Sequence, residues 1–548
     1  MTKLQGRSVF GGIAIGKLSY LKKGERKIRR QSVTDIQAEL ERFRAAQQKA
    51  LQRLKQLYDK AVSEVGQANA MIFEIHQMML EDLDYCESIQ NIITTQRVNA
   101  EYAVGQTADN FSQMFAEMDD PYMRERATDV RDVSERLLDA LAGLEEDGAD
   151  GDGPVIIAAE DLAPSETVQM DKSRLLGFVT QHGSLNSHTA ILARTMGIPA
   201  VVSAGTELRP EFNGKTAVID GFTGMVYIDP DETTLADMRR KQREAEEHRR
   251  LLEDLKGKEN ITLDGRRILI YANIGNLSDI GLVLQNDAEG VGLFRSEFIY
   301  LESRDYPTEE QQFQIYKKAV ERMAGKRVII RTLDIGADKQ TDYFGLDKEE
   351  NPAMGYRAIR ICLTRPELFK TQLRALYRAS AFGRLAIMFP MITSLEELRR
   401  AKKIAEEARD ELRGEGISIA EDVELGIMIE TPAAALISDL LAREADFFSI
   451  GTNDLVQYTM ALDRQNPRLE EFYSPHHPAI LRLIRMTVEN AHAGGIWAGI
   501  CGELGADPEL TGTFLKLGVD EISVSPGLVL ELRKQVRDTN VSQVEPLI

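Results

Sequence analysis

The sequence predicts a multidomain α/β protein: an α/β domain with an inserted four-helix subdomain, joined to a C-terminal (β/α)₈ barrel of the TIM type. Three observations carry that prediction. Short apolar runs flank a long stretch of helical periodicity on both sides; a charge-dense helical stretch follows; and eight β-branched runs alternate with helical patterns to the end of the chain.

The elements follow in order. Residues 1 to about 20 read as short strands with Gly11, Gly12 and Gly16 at the turns. Helical periodicity then places Ile36, Leu40, Phe43, Leu51, Leu54 and Leu57 on one face, behind a capping pattern Thr34-x-x-Gln37. Similar stripes recur at Met71–Leu83, Ala103–Met118 and Val130–Leu144, so four helices are expected. The acidic, glycine-rich run Glu145–Pro154 ends them. Strand-like runs return at Val155–Ala159, Leu175–Thr180, Ala200–Ser203, Thr216–Asp220 and Met225–Ile228. The predicted boundaries are an α/β domain made of 1–22 and 146–229, a helical subdomain at 23–145, a linker helix at 230–258 and a barrel at 259–548.

Composition narrows the function. The chain has 548 residues, 43% of them hydrophobic and 28% charged, which is ordinary globular usage. A net charge of -20 argues against nucleic acid as a main partner and favours solubility or a basic protein partner. Cys86, Cys362 and Cys501 are too far apart for a disulfide framework or a Cys-x-x-Cys metal site. No signal-peptide core and no apolar run of membrane-spanning length is present, so a soluble, cytoplasmic protein without membrane insertion is expected.

Two regions carry chemistry. In Gly183-Ser184-Leu185-Asn186-Ser187-His188-Thr189 a histidine sits in a turn just ahead of an apolar helical run. A helix start favours an incoming anion, which suggests a phosphorylated His188. In a (β/α)₈ barrel the active site lies where the strands end, so the residues just past each apolar run are candidates. They are Asn273, Arg295, Arg331 with Asp334, Glu430, Asn453 with Asp454, and Cys501 with Glu503. Arg295 and Arg331, joined by Arg464, could clamp a phosphate and a carboxylate. Glu430 and Asp454 are hard oxygen ligands suited to Mg²⁺, and Asn453 can orient either group. Cys501, read as a thiol near neutral pKa, could protonate a carbanion-like carbon.

These residues fall in motifs that resemble enzyme I of the bacterial sugar phosphotransferase system, a phosphoenolpyruvate-protein phosphotransferase family. The matching segments are Ser187-His188-Thr189, Gly292–Phe298, Arg331–Lys339, Asn351-Pro352 with Gly355–Arg360, Phe447–Leu455, and Cys501-Gly502-Glu503. The resemblance implies that phosphoenolpyruvate binds with Mg²⁺ at the barrel mouth. Glu430 and Asp454 would be metal ligands; Arg295, Arg331, Asn453, Asp454 and Arg464 would bind substrate; Cys501 would be the acid. His188 would take the phosphoryl group and pass it to a histidine of the phosphocarrier HPr. HPr would dock on the helical subdomain near Met71, Met78, Met79, Leu80 and Leu83, beside Glu74, Glu81, Asp82 and Asp84. The resemblance also implies a homodimer through the barrel. The chain departs from the family pattern at His182-Gly183-Ser184-Leu185-Asn186, where two glycines and a basic residue are usual, and at Tyr356, usually Trp. The alternatives are an enzyme like phosphoenolpyruvate synthase or pyruvate phosphate dikinase, for whose ATP domain the chain has no room, and a non-catalytic regulatory homologue.

Overall fold

The structure is a computed structural model. It describes residues 1–21, 28–65, 67–116, 121–143, 153–162, 174–183, 190, 193, 197–301, 303, 305–336, 342–464, 466–472 and 474–545. The chain forms two compact units, Met1–Arg249 and Arg250–Ile548. Among the described residues no helix is long and apolar enough to cross a membrane.

The first unit is built on an eight-stranded sheet. Its strands are β1 (Thr2–Gln5), β2 (Arg7–Phe10), β3 (Ile13–Tyr20), β4 (Val155–Ala159), β5 (Leu175–Thr180), β6 (Ala200–Val202), β7 (Thr216–Asp220) and β8 (Met225–Ile228), in the order β1-β8-β7-β3-β4-β5-β6-β2. β3 and β4 pair in parallel, Lys17 beside Val155 through Tyr20 beside Ala158. The helical stretch thus leaves the sheet from one strand and returns to its neighbour.

That stretch holds α1 (Ile36–Val65), α2 (Gln67–Glu81), α3 (Leu83–Gln96), α4 (Ala100–Ala116) and α5 (Pro121–Ala142). The sequence stripes predict four helices, and the structure has five among the described residues. The difference is Asp82, whose extended backbone and side chain, accepting from Tyr85 N–H, cap a new helix. The first cap also differs from the Thr34 pattern: Asp35 Oδ1 accepts from Ala38 N–H at 3.0 Å. Phe43, Leu54, Phe73, Leu80, Ile89, Ile93, Val104, Val133 and Leu137 close the bundle core.

A helix at Glu232–Glu253 follows the sheet. Its one buried residue, Met238, packs on Ile13 and Val218, while most of its surface is charged and solvated.

The second unit is a closed barrel of eight parallel strands: β9 (Leu269–Ile274), β10 (Gly290–Arg295), β11 (Arg327–Arg331), β12 (Leu385–Phe389), β13 (Glu424–Ile429), β14 (Phe447–Ile450), β15 (Trp497–Ile500) and β16 (Glu521–Val524). All eight overlap the apolar runs read from the sequence, which are Ile268–Ile274, Val291–Phe294, Val328–Ile330, Leu385–Phe389, Leu425–Ile429, Phe447–Ile450, Ile496–Ile500 and Ile522–Val524. The outward faces pack under the helices in one continuous core, and the inward faces carry Tyr271, Leu293, Ile329, Met388, Met428, Phe447 and Cys501. Parallel strands point their carboxyl ends to one rim, which is where a site can be assembled.

Candidate active site at the barrel mouth

A cavity of about 510 Å³ opens at the carboxyl ends of the strands. Its lining includes every barrel residue singled out as catalytic, substrate-binding or metal-binding from the sequence: Arg295, Arg331, Glu430, Asn453, Asp454, Arg464 and Cys501. Arg295, at the end of β10, is exposed to the solvent.

Arg331 ends β11 and is buried. Its Nη2 donates to Glu297 Oε1 at 2.5 Å and lies 2.9 Å from Asp334 Oδ2. Asp334 also accepts from Arg357 Nη2 at 2.8 Å, so one carboxylate joins two guanidinium groups. Burial disfavours the Arg331 cation, but Asp334, Glu297, Glu430 and Asp454 more than offset it and hold the charge in place. Arg357 is held charged by Asp334 and Asp454 against the same burial. It follows Tyr356 and precedes Ala358, whose φ of 52° turns the chain back into the helix Ile359–Thr364. Strand-end reasoning could not find Arg357, since a long loop and not a strand delivers it.

Glu430 follows β13 and is 1% exposed. Its Oε1 accepts from the Met391 N–H at 2.5 Å. Burial first, then Asp454 and Asp334, raises its pKa, with Arg331 acting the other way. Asp454 stands in the first turn of the helix Thr452–Met460, beside Asn453. The Asn453 amide donates to Glu503 Oε1 at 3.0 Å and its oxygen accepts from Glu503 N–H at 3.0 Å. Arg464 Nη1 lies 3.7 Å from Glu503 Oε1.

Asp454 adds to the cost of a negative charge on buried Glu430, and a divalent cation would remove that cost. Two hard oxygen donors that line one cavity suit an ion that keeps waters and binds substrate oxygens, as Mg²⁺ does. The residues fit that metal.

Cys501 follows β15, 3% exposed, with its N–H on Ile450 O at 3.1 Å. The thiol is not near neutral pKa, as the sequence suggested. Burial pushes it up to about 12, with help from Glu521 and Glu430, so it is a protonated donor throughout the physiological range.

His188 lies outside the described residues, as do Ser187, Thr189 and Arg194. The approach to that segment is described. Thr180 Oγ1 donates to His182 O at 2.5 Å, Ser203 Oγ donates to Gly183 O at 2.6 Å, and Gly183 has φ of 115°. Beyond it Ala190 and Ala193 are buried helical residues.

Family models for PEP-utilising enzymes match three segments: the N-terminal domain at residues 5–126, the mobile domain at 151–224 and the PEP-binding domain at 249–541. The chain is similar along its whole length to phosphoenolpyruvate-protein phosphotransferase of Priestia megaterium, with 44% identity over 100% of this chain and 96% of that one. It belongs to the phosphoenolpyruvate-protein phosphotransferase family. The relative from Staphylococcus carnosus is 43% identical over 100% of this chain and 95% of its own. A solution structure titled Enzyme I (nEIt) is 34% identical, covering 44% of this chain and 99% of that one at a TM-score of 0.38.

On α2 and α3, Met78 and Leu83 are exposed, as are Glu74, Glu81, Asp82 and Asp84. Leu80, assigned from the sequence to the same surface, is fully buried in the bundle core, and Met79 is half-buried. Helical spacing turns Leu80 inward while its neighbours face out. The Met71 side chain lies outside the described residues.

Proposed function

We propose that this chain transfers the phosphoryl group of phosphoenolpyruvate to its own His188, and then to a histidine of HPr, as the first step of sugar uptake in the cytoplasm. The observation that carries the proposal is the convergence of Arg331, Glu430, Asn453, Asp454 and Cys501 on one cavity, in a chain related to phosphotransferases along its full length.

Arg295, Arg331, Asn453 and Arg464 bind the phosphate and carboxylate of the substrate, whose negative charge matches the guanidinium groups held there. Glu430 and Asp454 hold Mg²⁺, which when bound supplies positive charge to the phosphoryl and enolate oxygens. His188 attacks phosphorus; the bond from phosphorus to the enol oxygen breaks as the bond to nitrogen forms. Cys501 gives its proton to the methylene carbon, and pyruvate leaves. Because the thiol is uncharged at neutral pH, it acts as an acid and not as a nucleophile.

The second transfer needs a docking surface. Met78 and Leu83 with Glu81, Asp82 and Asp84 offer an apolar centre with an acidic rim to a basic partner. In this reading residues 1–22 and 146–229 carry the phosphohistidine, 23–145 receive HPr, the linker at 230–258 lets His188 reach both partners, and 259–548 bind substrate and form the homodimer.

Incubation with labelled phosphoenolpyruvate, Mg²⁺ and HPr tests the whole scheme. Label is expected on His188 and then on HPr. His188→Ala is expected to bind phosphoenolpyruvate and accept no label. Label retained by this variant, or label taken from ATP and not from phosphoenolpyruvate, would overturn the assignment.

A further inference from the structure

Behind Arg331 lies a buried polar network that the cavity at the barrel mouth does not include. At its centre is Gln372, on the helix Pro366–Ser380, which is 0% exposed although Phe369, Leu373 and Leu376 around it on the same helix are apolar and buried. A buried amide is costly unless its polar atoms find partners. Here they do. Oε1 accepts the Leu333 N–H at 2.9 Å, while Nε2 donates to Ser296 Oγ at 3.0 Å and to the Tyr316 hydroxyl at 3.1 Å. The Leu333 N–H can only donate, so it fixes which end of the amide is the oxygen.

These partners lead to the rim. Ser296, also 0% exposed, donates its hydroxyl to Arg331 O at 2.6 Å. Gln372 therefore holds the chain on both sides of Thr332, directly at the Leu333 N–H and through Ser296 at the Arg331 carbonyl. Ser296 stands between Arg295 and Glu297, and Glu297 Oε1 is the acceptor for Arg331 Nη2. Asp334, the other carboxylate against that guanidinium, follows Leu333. Arg295, Glu297, Arg331 and Asp334 all line the cavity. Each is at, or next in sequence to, a residue that the network holds.

The far side of the amide is anchored on the helix Glu309–Arg322. The Tyr316 hydroxyl donates to Gln312 Oε1 at 3.2 Å, the Tyr300 hydroxyl donates to the same oxygen at 3.1 Å, and Gln312 Nε2 donates to Pro307 O at 2.9 Å. Gln312, Tyr316 and Tyr300 are 0% exposed. A neutral, buried network of this kind fixes one arrangement of its members. Apolar packing would fill the same space, but only directional bonds to N–H and C=O fix how a peptide plane is turned.

We propose that Gln372 is a positioning residue for substrate binding, setting the Arg331 guanidinium, with Glu297 and Asp334 beside it, in the orientation that receives the anionic groups of phosphoenolpyruvate. The inference rests on Arg331 as a substrate-binding residue. Gln372 touches no substrate. Its effect passes through Ser296 and the main chain of residues 331–333, where a displacement of about 1 Å is enough to misalign a charge-assisted, two-pronged bond.

Calorimetry of phosphoenolpyruvate binding at saturating Mg²⁺, on the full chain carrying His188→Ala, tests the proposal, with Mg²⁺ affinity and the denaturant midpoint measured alongside. Gln372→Met keeps the volume and removes all three hydrogen bonds. It is expected to raise the Kd for phosphoenolpyruvate at least ten-fold, while Mg²⁺ affinity, assigned to Glu430 and Asp454 beyond β13 and β14, stays within two-fold. Gln372→Glu, whose carboxyl still accepts the Leu333 N–H, is expected to recover part of the loss. Tyr316→Phe is the control for a structural role, because it removes one bond from the same amide and leaves Leu333 and Ser296 held. Its midpoint should fall while its Kd stays within three-fold of the parent. Affinity that follows the midpoint equally in Gln372→Met and Tyr316→Phe would mark a purely structural role and overturn the proposal, as would an unchanged Kd in Gln372→Met or a parallel loss of Mg²⁺ binding. Arg331→Lys separates the two assumptions. Parent-like affinity in that variant removes Arg331 as a binding residue and this proposal with it, whereas a severe loss there beside an unchanged Gln372→Met removes Gln372 alone. If Gln372→Met fails to fold, Ser296→Ala provides the same test, with the Kd raised at least three-fold and Mg²⁺ affinity retained; an unchanged Kd overturns the proposal.

Discussion

Glu430 and Glu521 are the same residue type in the same barrel, and each is 1% exposed. What surrounds each carboxyl differs. Glu430, at the rim, accepts a main-chain N–H and faces both a guanidinium and a second carboxylate across an open cavity. Glu521, a layer below, has one hydroxyl and two glycines. Burial raises both, yet the rim site can be relieved by a cation entering from solvent, whereas the interior site can be relieved only by a proton. Depth in a barrel therefore decides whether the cost of a buried acid can be relieved by a cation or only by a proton.

The strongest way to break this comparison is Glu430→Gln. It is expected to abolish Mg²⁺ binding measured by calorimetry and to lower turnover by about 10³-fold, the several kcal/mol that a metal contributes to charge development. Glu521→Gln is expected to leave Mg²⁺ affinity within about two-fold, since less than 0.5 kcal/mol separates the two titrations. Equal losses of metal affinity would mean that the two layers form a single electrostatic site.

The rim was legible in the sequence for a physical reason. Parallel strands end on one side, so reading past each apolar run retrieves Arg331, Glu430, Asn453, Asp454 and Cys501 without knowledge of the loops. Arg357 lies in the Gly355–Arg360 motif but was given no role, because a long loop and the unusual backbone of Ala358 deliver it and strand-end reading does not reach it. Glu521 was hidden because Glu-Ile-Ser-Val reads as a strand with a polar start, and nothing in that pattern tells that Gly499 and Gly292 have vacated the space its carboxyl fills. Helix α3 was missed because Leu83 extends the stripe of α2, and only the cap at Asp82 separates them. The thiol was read too acidic because burial depth is a property of the fold.

Two glycines test the packing half of the comparison at a smaller scale. Gly499→Ala drives a methyl onto Glu521 Oε2 and is expected to cost about 1–3 kcal/mol in thermal or denaturant unfolding. Gly451→Ala, beside Glu430, meets its neighbours at 3.0–3.1 Å and should cost less, because the rim side chain borders a cavity into which it can shift. Adding Glu521→Ala to Gly499→Ala should recover most of the first loss. Additive losses would show that the carboxyl does not fill the glycine's place.

The pH dependence of stability sharpens the comparison further, with a smaller effect per step. A carboxyl raised from 4.5 to about 8, as in Glu521, holds its proton in the native state while the unfolded chain has already released it. Between these values the native state binds more protons, so the group's contribution to stability falls as pH rises, by at most about 1.4 kcal/mol per pH unit. Glu430 is raised in the same direction and adds to the slope. Saturating Mg²⁺ needs the ionised carboxylate and should remove the Glu430 share by displacing its proton. The Glu521 share should survive the metal and vanish in Glu521→Gln. Unfolding midpoints between pH 5 and 8 should therefore fall most steeply for the parent without Mg²⁺, less steeply with it, and least for Glu521→Gln with Mg²⁺. A slope that Mg²⁺ erases completely in the parent would assign all the pH dependence to the rim, and the interior acid would then be titrating as an ordinary carboxylate.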